Sequence, residues 1–99
     1  MLYVVNKNCT DSYALQSCVE RARDGDVILL IENAVYAGIS SPETSVLQGV
    51  ADGVDVYTLT PDMQARGLDP SQCFDFVRFV DYAGFVELVV SNKPIRSRF

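Results

Sequence analysis

The chain has no histidine and no tryptophan, only three cysteines, and eight basic side chains against thirteen acidic ones. Without histidine, neither a Ser-His-Asp triad nor a Cys-His pair can be assembled from this polypeptide alone. Cys9, Cys18 and Cys73 show no CxxC spacing, which makes a poor zinc site and no disulfide framework. No resident metal or cofactor is therefore expected, and such sparse thiol usage fits a reducing compartment. Neither GxGxxG nor GxxxxGK[ST] is present to cradle phosphates. No run approaches the ~20 apolar residues of a membrane span. The opening MLYVVNKN lacks a basic n-region and a signal-length apolar core. A soluble, cytoplasmic chain is expected, with cysteine as its one obvious nucleophile.

Basic charge is scarce where a nucleic-acid binder would need it. Five basic side chains against thirteen acidic ones leave residues 1–92 at net −8, and Lys93, Arg96 and Arg98 give the tail +3. A body this acidic repels a phosphate backbone, so direct nucleic-acid binding is not expected. The basic tail reads as protection of an edge strand against unwanted pairing. Ninety-nine residues make one domain, 1–99, with a small core. Yet 48% of the residues are apolar. That surplus points to apolar surface meeting another chain.

What is present alternates between short apolar runs and helical patterns, the order of an α/β domain with a mainly parallel sheet covered on both faces. Strands are expected at Leu2–Val5, Val27–Ile31, Val54–Leu59 and Asp75–Val80, with Ile95–Arg98 as a short edge strand. A first helix starts at Asp11 or Ser12 and turns Leu15, Cys18, Val19 and Ala22 toward the sheet. ENAVYAG begins a turn or short helix, and another helix is expected near Thr44–Ala51 after Ser41-Pro42. Thr60-Pro61-Asp62 reads as a capped helix start and Gly67 as its stop. Asp81 caps the last helix, where Tyr82, Phe85, Val86 and Val89 repeat at helical spacing before Lys93-Pro94 ends it.

Four segments, VNK (Val5–Lys7) with a helix-borne Cys18, LLIENAVYA (Leu29–Ala37), LTPDMQARGL (Leu59–Leu68) and VDYAGFVEL (Val80–Leu88), occur in an order that resembles the DsrH/TusB family of small sulfur-relay subunits. The resemblance implies a three-layer α/β/α sandwich with about five strands. It also implies a heterohexamer with DsrE/TusD-like and DsrF/TusC-like subunits. Such an assembly passes sulfur as a cysteine persulfide between small sulfur-carrier proteins, for tRNA wobble-uridine 2-thiolation or for dissimilatory sulfur oxidation. The family's main acceptor cysteine lies on the DsrE/TusD-like chain, so this one is expected to be more structural than catalytic. The ending IRSRF departs from the Trp-Leu common in the family, which leaves contacts through that terminus open.

Cys18 resembles the first-helix cysteine of the family's DsrH side, which TusB chains often lack; it is a candidate sulfur acceptor and tilts the expectation slightly toward sulfur oxidation. By its position in the inward stripe it reads equally well as a buried, inert thiol. Cys9 has no family counterpart, but it follows the first strand and precedes a helix N-terminus, where a thiolate is favoured. Cys73 in DPSQC reads as an incidental thiol. Glu32 and Asn33 end a buried strand, where binding residues gather. Whichever of Tyr3, Tyr13, Tyr36 and Tyr57 are exposed are candidate subunit contacts, Tyr36 among them as an interface candidate. Asp81, Tyr82 and Gly84 are interface candidates as well, with a cap, a packed aromatic and a close contact as the simpler reading. Asp62 and Arg66 are spaced to pair across one helical turn. Two rival functions stay open: a sulfurtransferase that accepts sulfur itself, and a stand-alone homo-oligomeric binding module.

Overall fold

The computed structural model describes residues 1–7, 13–40, 42–92 and 95–98. Five strands, β1 (Leu2–Val5), β2 (Val27–Leu30), β3 (Asp55–Leu59), β4 (Val77–Val80) and β5 (Ile95–Arg98), lie side by side in the order β4-β3-β2-β1-β5. Every pairing is parallel, and β1 sits between β2 and β5 with Leu2 opposite both Val27 and Ile95. The uninterrupted apolar runs of β1 and β2 are explained by this placement. All four residues of each are buried, as strands covered on both faces require. IRSR is the edge strand expected from the sequence.

Helix α1 (Ala14–Arg21), helix α2 (Thr60–Ala65) and two 3₁₀ segments, Glu32–Gly38 and Pro42–Gly49, precede helix α3 (Tyr82–Ser91). One sheet face carries Tyr3, Val5, Ile28, Leu30, Val56 and Val77 beneath α1, the 3₁₀ segments and Met63 of α2. Leu15, Cys18, Val19 and Ala22 of the first helical region all point into this layer, as their spacing predicts. The opposite face carries Leu2, Val4, Val27 and Leu29, covered by Phe85, Leu88 and Val89 of α3. Each fully buried leucine contributes roughly 1.5–3 kcal/mol of burial. Thr58, polar and wholly buried, is accommodated because its hydroxyl donates to Met63 Sδ at 3.1 Å.

Several local expectations change. Helix α1 starts at Ala14 with Tyr13 at its N-cap position, and Asp11 and Ser12 lie outside the described residues. Thr60 does not cap α2. The chain passes from β3 into α2 without a loop residue, so Leu59 holds the cap position and makes no side-chain bond. Near Thr44–Ala51 the backbone is 3₁₀ rather than α. The proposed Ser41 cap and the Lys93-Pro94 stop lie outside the described residues. Asp81 does cap α3, its Oδ1 accepting the Gly84 N–H at 2.8 Å. Gly84 packs tightly against the end of β4, since an added Cβ would sit 2.9 Å from Val80 Cβ.

Candidate functional site at the carboxyl edge of the sheet

The carboxyl ends of β1, β2 and β3 bring together polar residues far apart in sequence. Asn6 follows β1, Glu32 and Asn33 follow β2, and Asp62 and Arg66 ride on α2 directly after β3. The Glu32 backbone has φ +49°, a left-handed conformation that costs a non-glycine residue roughly 1–2 kcal/mol. The Asp62 carboxylate accepts the Glu32 N–H at 2.6 Å, a short charge-assisted bond that offsets this strain. Asn6 Nδ2 donates to Glu32 Oε2 at 3.3 Å. Its Oδ1 is buried without a hydrogen-bond partner among the described residues. Arg66 donates from Nε to Asn33 Oδ1 and from Nη1 to the Asp62 main-chain oxygen, both at 3.0 Å. Asp62 and Arg66 therefore meet across one turn as their spacing allows, but through the backbone carbonyl. The carboxylate is engaged elsewhere.

Chemically, the described residues of this edge offer hydrogen-bond acceptors and an anchored guanidinium, and no nucleophile among them. Among the described residues no group of three or more His, Cys, Asp or Glu is placed to hold a metal. Cys18 is fully buried in the core between α1 and the sheet. A sulfur donor reaches its thiol only if α1 lifts away. Cys9 lies outside the described residues. Cys73 is half-buried beside an antiparallel bridge to Ile39. Burial first, and the nearby Asp69 carboxylate second, raise its pKa above the usual 9.0. A groove of about 390 Å³ between α1 and the second 3₁₀ segment is lined by Gln16, Val19, Glu20, Val46 and Gly49, away from this edge.

The Cys73 shift has a testable sign. A thiol whose pKa is raised by folding adds stability that is complete below pH 9.0 and declines as pH rises through the folded value. The stability difference between wild type and Cys73→Ala should therefore move against wild type between pH 8 and pH 10, as read from urea unfolding curves. An unchanged difference would refute the assigned burial.

Other candidates separate by exposure. Tyr36 is at the edge of exposure and Tyr13 projects freely, whereas Tyr3 is buried in the core, so it is no surface contact. Along α3 the apolar residues divide into two stripes. Phe85, Leu88 and Val89 face the sheet, while Tyr82, Val86 and Val90, spaced by four, are 60%, 61% and 66% exposed. Glu87 is the one charged side chain within α3. A helix apolar on nearly all sides is ordinarily buried; here its outer stripe is bare. The spacing of Tyr82 and Val86 was visible in the sequence, but the division into two faces was not. Asn6 was discoverable from its place after β1. Asp62's reach to Glu32 spans thirty positions and carries no local signal.

Comparison with known proteins follows the same lines. Residues 9–95 match the family described as DsrH like protein. The chain is 40% identical over 68 residues to Protein TusB of Photorhabdus laumondii, covering 69% of this chain and 70% of that protein. It is 33% identical over 84 residues to Protein TusB of Salmonella dublin, covering 84% and 85%. The solution structure of protein Tm0979 from Thermotoga maritima superposes with a TM-score of 0.67 at 26% identity, over 94% of this chain and 95% of that one. The ychN protein from E. coli superposes with a TM-score of 0.71 at 15% identity over 97% of both, a likeness of fold.

Proposed function

Because the chain belongs to the DsrH-like family, we propose that it is a mainly structural subunit of a cytoplasmic sulfur-relay complex. Its partners are DsrE/TusD-like and DsrF/TusC-like chains in a heterohexamer, which exchanges sulfur with small carrier proteins. The observation that carries this reading is the bare stripe of Tyr82, Val86 and Val90 on α3. Apolar surface of this kind, on the helix whose Phe85, Leu88 and Val89 cover one sheet face, is what a docking subunit presents. The relatives named TusB favour the route to the 2-thio group of wobble uridine in tRNA over sulfur oxidation.

In such a relay a cysteine thiolate attacks the outer sulfur of a donor persulfide, forming a new S–S bond while the donor leaves as thiolate. That step needs an accessible thiolate, and Cys18 has none of its surface exposed. Its burial supports a packing role here, in keeping with the reading that the relay cysteine belongs to a sister chain. Glu32, Asn33, Tyr36, Asp81, Tyr82 and Gly84 remain candidate interface or binding residues, and Cys9 a weak candidate sulfur acceptor. No helix among the described residues is long and apolar enough to cross a membrane.

Native mass spectrometry of the tagged chain drawn from its source cells tests the proposal. A complex containing two further chains of DsrE- and DsrF-like sequence is the expected result. A monomer, or an assembly of identical copies, would overturn it and leave the homo-oligomeric module standing. Incubating the isolated chain with a persulfide donor should leave Cys18 without added sulfur by intact mass.

A further inference from the structure

We draw no further inference here: the strongest candidate, the groove between α1 and the second 3₁₀ segment lined by Val19, Val46 and Glu20, carries none because nothing in the structure shows what covers it.

Discussion

Leu30→Ala should remove about 2–5 kcal/mol of folding stability, the usual range for deleting a buried leucine from a core that cannot fully close around the gap. Leu30 has no exposed surface and ends the central strand β2. It is flanked in register by Val5 on β1 and Thr58 on β3. Above it lies the turn at Gly38, where an added Cβ would come within 3.8 Å of Leu30 Cδ1 and 3.2 Å of Thr58 Cγ2. That packing leaves the neighbours little room to slump inward. Small domains hold roughly 5–15 kcal/mol in total, so this single change should consume a large share of the reserve. Urea unfolding should show a lower midpoint with an unchanged slope. A loss below about 1 kcal/mol would mean the site collapses freely, and the packing described for this face would be wrong.

How far the sequence carried depends on how local each determinant is. The apolar runs of β1 and β2 announced strands buried on both faces because nothing polar interrupts them. Leu15, Cys18, Val19 and Ala22 announced a helix stripe because their spacing matches one face of a helix. Asp81 announced a cap because an acidic residue preceded a helical pattern, and the structure places its carboxylate on the Gly84 N–H. These are nearest-neighbour signals. Thr60 misled for the same reason, since a local cap rule takes no account of a strand that runs straight into a helix.

The carboxyl-edge network was legible only in part. Glu32 and Asn33 stood out as the polar end of an apolar strand, yet what holds them does not. Asp62 reads locally as an acidic first-turn residue favoured by the helix dipole, while its actual engagement is with a backbone N–H across the sheet edge. Cys18 shows the opposite relation. Family resemblance and helical periodicity gave it two meanings, and complete burial now weighs on the side of packing. Its chemistry becomes available only if helix α1 opens, and nothing in the periodicity could have priced that.

Val86→Asp should abolish assembly with the sister subunits while leaving the isolated chain folded. The wild-type side chain is 61% exposed on α3, so its replacement should change stability within roughly 0.5 kcal/mol, as is usual for surface positions away from caps and cores. In a complex the same position is expected at the centre of the docked stripe, between Tyr82 and Val90. There an aspartate would be stripped of water with no cation in this helix to meet it, since the one charged residue of α3 is Glu87. Burying an unpaired charge costs several kcal/mol, so affinity should fall by about a hundredfold or more. Tyr13→Ser is the matched control. Tyr13 is 83% exposed, but it lies at the start of α1, on the layer covering the opposite sheet face. Its loss should leave assembly within about twofold, because an isolated exposed aromatic is ordinary surface. Native mass spectrometry of each variant with its partners reads both outcomes. Assembly that survives Val86→Asp but fails with Tyr13→Ser would move the docking face from α3 to the α1 layer, and the proposed role of the bare stripe would fall with it.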